Sequence, residues 1–318
     1  MFSFCKKIFS VIRDYSWKSI YGRFREIVTI SLFHSKISKK IVGIEEKKHN
    51  CKISIVAIVK NESKYIREWI EYHLIIGVEH FYIYDNESED DLHRILLPYI
   101  DKGVVSYLFC PGSVMQITAY NDAIARFKDS SHWMAFIDID EFIVLSPNYS
   151  TNLSDFLKMY EGFDMLGINW CMFDANNHEK CPTQGFVISN YTRCHAIDDN
   201  SANRHIKSIV KPKSVKICTN PHYMILKPSK KAVDENFDTL ITPFPPHVSF
   251  KKIQINHYFS KSKEEYISKL SRGRADIAEK RPFDKKAYDF SYWATKQSDI
   301  DLSSFANILK NKIPETYT

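Results

Sequence analysis

The sequence is poor in glycine, with only nine among 318 residues. None of them falls in the G-x-x-x-x-G-K-[ST] pattern of a P-loop or in the G-x-G-x-x-G pattern of a dinucleotide-binding turn. Such loops bind phosphate through backbone N–H groups at a helix N-terminus. Without them, binding of a phosphorylated ligand depends on a metal ion and on basic side chains.

Long apolar runs and paired cysteines are also absent. No stretch of 18 apolar residues occurs, which argues against a transmembrane helix. The seven cysteines show neither a Cys-x-x-Cys pair nor a zinc-ligand spacing. An odd, scattered set of this kind indicates buried thiols in a reducing compartment, so we expect a cytoplasmic protein.

The basic charge is confined to the N-terminus. Residues 1–50 hold eleven Lys and Arg against four Asp and Glu, a balance of +7, whereas the whole chain carries +6. The rest is therefore nearly neutral, which argues against a nucleic-acid-binding core. Residues 1–33 interleave aromatic and aliphatic residues with Lys and Arg, typical of a basic amphipathic helix. This helix would lie on an anionic membrane or pack on the protein, and we expect 36–50 to be a linker.

Strand and helix patterns alternate after the linker. Apolar, β-branched runs predict strands at 52–59, 80–84, 104–109 and 133–137, and helical spacing predicts helices at 65–74, 90–100 and 116–127. This alternation indicates an α/β fold with a mostly parallel sheet flanked by helices. We expect a basic segment at 1–50, a catalytic domain at 51–260 and a helical extension at 261–318, where Ser262 to Glu265 form a capping box.

Polar side chains follow each of these strands. Since ligands bind beyond the carboxyl ends of parallel strands, we expect these residues to converge on one nucleotide site. They are Lys60, Asn61 and Glu62, Asp85 and Asn86, Gln116, and the acidic group Asp138, Asp140 and Glu141. Asp85 is placed to accept hydrogen bonds from a nucleoside, although an Asx turn is the alternative.

The acidic group lies between two apolar runs, 133–137 and 142–145. Three carboxylates there would repel one another and be costly to bury. Magnesium or manganese removes that cost and also binds diphosphate oxygens, although an exposed acidic turn is the alternative. Among His205, His222 and His257, we take His257 as the further ligand because it ends an apolar run. Candidate phosphate-binding cations are Lys207, Lys211, Arg272 and Arg274.

Taken in order, these segments resemble glycosyltransferase family 92 and bacterial relatives of the family 2 type. The resemblance covers roughly 53–273. It rests on Val59-Lys60-Asn61-Glu62, Glu68-Trp69-Ile70, Tyr72-His73, Gly77 to Asn86, Gln116, Tyr120, Asp138-Ile139-Asp140-Glu141-Phe142, Lys207 to Pro212, Pro221-His222, Asn256-His257-Tyr258, Lys261 to Glu265, and Arg272-Gly273. In these relatives Trp-x-x-Phe is usually followed by Gly, whereas Asp174 follows Phe173 here.

The resemblance implies a GT-A fold, a UDP-sugar donor (UDP-galactose is the best-known choice) and inversion at the anomeric carbon. It makes Asp138 and Asp140 the metal and nucleotide site and Asp85 the nucleoside contact. Inversion needs a base for the acceptor hydroxyl. We nominate Asp174, followed by Glu141 and His178.

We expect the acceptor to be a glycan or glycolipid, and the enzyme to build a surface polysaccharide or lipooligosaccharide at the cytoplasmic face of a membrane. A nucleotidyltransferase and a non-catalytic carbohydrate-binding protein are the alternatives. The first would be expected to carry a glycine- and arginine-rich loop after the first strand, and the segment Val59-Lys60-Asn61-Glu62 has no glycine.

Overall fold

A computed structural model describes residues 41–43, 50–196, 201–272 and 295–313 of the chain. The predicted membrane-binding segment at 1–40 lies outside these ranges. Within them, no helix is both long enough and apolar enough to cross a bilayer.

The first half alternates strands and helices as predicted. Its elements are β1 (Val42–Gly43), β2 (Cys51–Val59), α1 (Ser63–Ile75), β3 (His80–Asp85), α2 (Leu92–Asp101), β4 (Val105–Phe109), α3 (Gln116–Phe127), β5 (Ser131–Phe136) and β6 (Glu141–Leu145). Each predicted strand and helix lies within three residues of the observed bounds. Gly77, the predicted cap of α1, has φ +96°, and a side chain there would collide with Asn152.

The second half has shorter elements. They are α4 (Leu153–Leu157), β7 (Met165–Met172), α5 (Val187–Asn190), β8 (Arg193–His195), β9 (Ile206–Val210), β10 (Val215–Asn220), β11 (Tyr223–Leu226), β12 (Ala232–Val233), β13 (Ile253–His257), α6 (Lys263–Arg272), β14 (Thr295–Gln297) and α7 (Ser303–Lys312). The capping box that opens α6 is confirmed: Glu265 N donates to Ser262 Oγ, and Ser262 N donates to Glu265 Oε2.

One mixed sheet organises the domain, in the order β1-β4-β3-β2-β5-β9-β7-β13-β6, with β12 beside β7. Among the described strands, five of its nine pairings are parallel, including the run β4-β3-β2-β5. Strand β9 is antiparallel to both β5 and β7, and β6 is antiparallel to β13. The predicted α/β class is confirmed.

The sheet is buried on both faces, which explains the unbroken apolar sequence of β2. Ile53, Ile55, Ala57 and Val59 point into the core under α1 and α2, whereas Val56 and Ile58 point into a second core under α3. Helices on both faces therefore cover the parallel half of the sheet.

Helix α1 also covers the edge strand β6. Trp69 Nε1 donates to Glu141 O at 2.8 Å, and Tyr72 Oη donates to Ile143 O at 3.0 Å. His73 Nε2 accepts from Ile143 N at 3.3 Å, and burial lowers the pKa of His73 to about 3, which keeps the ring neutral. These side chains satisfy backbone groups that no neighbouring strand pairs.

Two of the predicted segments contain strands that were not predicted. The linker at 36–50 contains β1, which pairs with β4, and Ile41 beside it is buried. Val42 and Gly43 extend the sheet by pairing with Phe109 and Leu108, although Lys39 and Lys40 precede them in sequence. The C-terminal segment is not purely helical: β14 pairs with β8, and Leu309 of α7 is fully buried in the main core.

Candidate active site

Six strands bring polar residues to one edge of the sheet. The parallel strands β2, β3 and β5 end there, and Val59 lies beside Asp85 in the register. Because β9 runs antiparallel to β5, its first residues meet the end of β5, with Ser208 opposite Phe136. His257 ends β13 opposite Glu141, the first residue of β6. The acidic group, Lys207 and His257 therefore lie at the same edge of the sheet.

Asp138 is held by three side chains. Its Oδ1 accepts from Gln116 Nε2 at 2.8 Å and from Tyr120 Oη at 3.4 Å, and its Oδ2 accepts from Lys207 Nζ at 2.8 Å. The Asp138 side chain is 31% exposed, whereas that of Lys207 is 1% exposed. Asp138 is therefore partly exposed at this edge of the sheet and held in a fixed position by Gln116, Tyr120 and Lys207.

Glu141 contacts the backbone of Asp138 and the side chain of Lys207. Its Oε2 accepts from Asp138 N at 2.9 Å and lies 3.4 Å from Lys207 Nζ, and its side chain is completely buried. Burial raises the pKa of Glu141, which favours its protonated form more than is usual for a glutamate. Burial also acts on Lys207, but Asp138 and Glu141 outweigh it and hold the lysine pKa well above its usual value. Asp138 and Lys207 thus form the charged pair.

Asp140 has a separate set of partners. His257 Nε2 lies 3.5 Å from Asp140 Oδ2, and Lys269 Nζ donates to the same oxygen. Burial alone would raise the pKa of Asp140, but Lys269 and His257 hold it well below the usual value. His257 is buried, which lowers its pKa, and its Nδ1 has no hydrogen-bond partner within the described ranges.

The three predicted metal ligands do not form one cluster. In the part of the chain that is described, no group of three or more His, Cys, Asp or Glu side chains has the arrangement of a metal site. Asp140 and His257 are adjacent, whereas the oxygens of Asp138 are engaged by Gln116 and Lys207.

Both carboxylate oxygens of Asp85 have partners in the protein, one of them in the local turn that was the alternative to a nucleoside contact. Its Oδ1 accepts from Ser88 N at 2.9 Å, and its Oδ2 accepts from Tyr107 Oη. Asn86 Nδ2 donates to Cys110 O and Gly112 O, and Asn61 Oδ1 accepts from Glu89 N. These contacts join the loops after β2, β3 and β4 into one wall at this edge of the sheet. Each carboxylate oxygen of Asp85 still has a second lone pair for a ligand.

The remaining predicted nucleotide contacts fall in different places. Lys60 and Glu62 flank Asn61 at the carboxyl end of β2, next to this wall. The prediction for Lys211 is wrong: it follows the far end of β9, where its Nζ contacts Glu161 O at 2.6 Å and Glu161 Oε2 at 2.9 Å. Because β9 is antiparallel to β5, one strand length separates Lys211 from Lys207. The side chain of Arg272 and all of Arg274 lie outside the described residues.

The candidate bases are enclosed. Asp174 follows β7 with its side chain 1% exposed, its Oδ1 accepts from Asn176 N at 2.6 Å, and its Oδ2 lies 3.6 Å from Arg193 Nε. Burial raises the pKa of Asp174. His178 is half-buried, with Nε2 3.2 Å from Asn190 O.

An aromatic group beside Asp140 was not predicted as a unit. The Trp170 ring is stacked on His205 at 4.7 Å, meets the edge of His222 at 4.9 Å and lies 4.2 Å from His257. Lys269 and Tyr107 were also missed. The alternation of residues along β4 predicts which face of the sheet Tyr107 lies on, but it does not predict that Tyr107 contacts Asp85. The contact between Lys269 and Asp140 spans 129 residues, and no local pattern encodes it.

Comparison with known proteins decides the family. The model of glycosyltransferase family 92 matches residues 53–293, most of the chain. The chain belongs to glycosyltransferase family 92.

The similar curated proteins include plant members of family 92. One from Oryza sativa subsp. japonica is 32% identical over 57% of this chain and 30% of its own length, and one from Ricinus communis is 32% identical over 54% and 30%. A galactan beta-1,4-galactosyltransferase of Arabidopsis thaliana is 33% identical over 27% of this chain and 18% of its own length. The chain thus spans about a third of the length of the first two relatives.

Solved glycosyltransferases overlap the family 92 domain in part. Staphylococcus aureus TarS bound to UDP-GlcNAc has a TM-score of 0.33 at 20% identity, over 51% of this chain and 45% of TarS. Glucosyl-3-phosphoglycerate synthase of Mycobacterium tuberculosis with Mn²⁺ and UDP has a TM-score of 0.26 at 20% identity, over 37% of this chain and 44% of the synthase.

Proposed function

We propose that this family 92 glycosyltransferase transfers a sugar from a UDP-sugar to a hydroxyl of a glycan or glycolipid, with inversion at the anomeric carbon. Galactose is our first choice, in keeping with the name of the Arabidopsis relative. The observation that carries the proposal is the pair Asp138 and Asp140 at the carboxyl edge, each with its own set of fixed partners.

Asp140 and His257 fit a divalent cation. A carboxylate oxygen and an imidazole nitrogen lie 3.5 Å apart, and burial favours the neutral imidazole that a metal needs. This donor set suits Mn²⁺, with Mg²⁺ as the harder alternative. When bound, the ion supplies positive charge against the departing diphosphate.

The other residues of the edge would hold the donor. Lys207 and Gln116 fix the position of the Asp138 carboxylate, and Asp85 lines the wall that we assign to the nucleoside. Lys207 is committed to Asp138 and Glu141, so its contribution to nucleotide binding is through Asp138. Lys60, Asn61, Glu62 and Asn86 border the same wall.

Asp174 is the base that we propose. Burial raises its pKa, which strengthens a carboxylate as a proton acceptor. Because its side chain is 1% exposed, the turn at 174–177 must open for an acceptor hydroxyl to reach it. Glu141 comes after Asp174, because its side chain is completely buried and its Oε2 already contacts Asp138 N and Lys207 Nζ. His178 is the second candidate.

The cellular setting follows from the sequence. We place the enzyme at the cytoplasmic face of a membrane, bound to anionic lipid through residues 1–40 and acting in synthesis of a surface polysaccharide or lipooligosaccharide. Membership of a glycosyltransferase family favours sugar transfer over the activity of a nucleotidyltransferase or the role of a non-catalytic binding protein.

A donor-turnover assay with Mn²⁺ tests the proposal. D140A should abolish release of UDP from UDP-sugars, because it removes the carboxylate beside His257. The matched control is D155A, whose side chain is 63% exposed and pairs with Lys158 far from this edge. Near-wild-type turnover by D140A in saturating donor would refute the assignment of the metal site.

A further inference from the structure

Asp140 already has a cation beside it. Lys269 Nζ donates to Asp140 Oδ2 and, at 3.1 Å, to Phe259 O, and it lies 4.1 Å from the centroid of the Phe259 ring. The ammonium group thus lies on the carboxylate oxygen that faces His257 Nε2. In this arrangement Lys269 balances the charge of Asp140 without a metal ion.

Lys269 differs from Lys207, the lysine that pairs with Asp138 at this edge. Lys207 belongs to β9, is 1% exposed and contacts both Asp138 and Glu141, so it could not move without losing both partners. The Lys269 side chain is 31% exposed and extends from α6. Its long apolar stem allows the ammonium group to turn into water while the helix stays in place.

We propose that Lys269 is an internal counter-ion that occupies the cation position at Asp140 in the metal-free protein and leaves when a divalent ion binds. The inference rests on the proposed metal site. An ammonium group and a divalent ion on one carboxylate oxygen repel each other, so binding of one excludes the other. The lysine thereby lowers the affinity for the metal and keeps Asp140 ionised and in position in its absence.

Titration of the purified full chain with Mn²⁺, followed by electron paramagnetic resonance of the free ion, tests this without any substrate. K269M keeps the stem and removes the charge, and we expect it to bind Mn²⁺ about tenfold more tightly, equal to about 1.4 kcal/mol. The control K263M removes a lysine from the same helix whose partner is Glu179, and it should bind Mn²⁺ like the wild type. K269R keeps a positive charge and should not bind the ion more tightly than the wild type.

The outcomes separate the two proposals. Wild-type binding of Mn²⁺ that K269M leaves unchanged or weakens would overturn the counter-ion role alone. Tighter binding by K263M as well would show a general charge effect and would also overturn it. No binding of Mn²⁺ by the wild type, even with UDP present, would overturn the metal site and the counter-ion role together. If K269M fails to melt cooperatively, K269Q carries the same expectation.

Discussion

Replacing Glu68 by Gln should change how stability depends on pH. Glu68 lies in α1 and is buried, and its two oxygens accept from Val187 N at 2.8 Å and Ile188 N at 3.1 Å at the start of α5. Burial is the main reason that its pKa is raised from 4.5 to about 7. Glutamine has nearly the same shape and keeps an oxygen acceptor, but it does not ionise.

The sign follows from proton binding. Between about pH 4.5 and pH 7 the folded protein holds a proton on Glu68 that the unfolded chain has lost, so the free energy of unfolding falls as pH rises through this window. A shift of this size corresponds to at most about 3 kcal/mol, at about 1.4 kcal/mol per pKa unit. E68Q has no such titration, so its free energy of unfolding should not fall in this way. Relative to the wild type, E68Q should become more stable by up to about 3 kcal/mol between pH 4.5 and pH 8.

Urea unfolding followed by tryptophan fluorescence at several pH values measures the effect. The quantity that matters is the difference in unfolding free energy between E68Q and wild type at each pH, since it cancels the titration of all other groups. A difference that stays constant from pH 4.5 to pH 8 would refute the raised pKa. A wild type that becomes more stable than E68Q as pH rises would show that the hydrogen bonds from Val187 N and Ile188 N lower the pKa of Glu68 more than burial raises it.

Three further predictions concern the site and the N-terminus. D85A should weaken donor binding by about 1–3 kcal/mol, seen as a higher Michaelis constant with little change in turnover number, because Asp85 lies away from the bonds that change. D85N should weaken donor binding less than D85A. Steady-state kinetics with varied donor would contradict this if the turnover number alone fell. K207M should destabilise the fold by about 2–3 kcal/mol in urea unfolding, because it leaves Asp138 without its buried partner; stability equal to the wild type would contradict the pair. Removing residues 1–40 should release the protein from anionic vesicles in a sedimentation assay while donor turnover persists, and vesicle binding that neither truncation nor salt affects would favour packing of that segment on the protein.

The sequence predicted the parallel half of the sheet because its signals are local. The run at β2 is apolar on both faces, and the strand ends carry polar residues within a few positions of the last apolar one, as in Asp85 and Asp138. The direction of each parallel strand then brings those residues together without any knowledge of long-range contacts.

The partners of these residues were harder to predict. Lys207 and Lys211 are four residues apart and look equivalent in sequence, but the antiparallel direction of β9 places one in the site and the other at the opposite edge. The contact between Lys269 and Asp140 depends on where α6 packs. Likewise, the motif Glu68-Trp69 with Tyr72-His73 resembled a family signature, and only the structure shows that it fastens α1 to α5 and β6.

The cover that α1 places on β6 bears on how copies of the protein behave in a crowded solution. A bare edge strand exposes unpaired N–H and C=O groups and invites pairing with the edge of another molecule. Here Trp69, Tyr72 and His73 already bond the outward groups of β6. Among the described residues, the opposite side of the sheet ends in β1, where Val42 and Gly43 pair with β4. The side chains that dock α1 on β6 thus also remove one of the two sheet edges as a surface on which another molecule could pair.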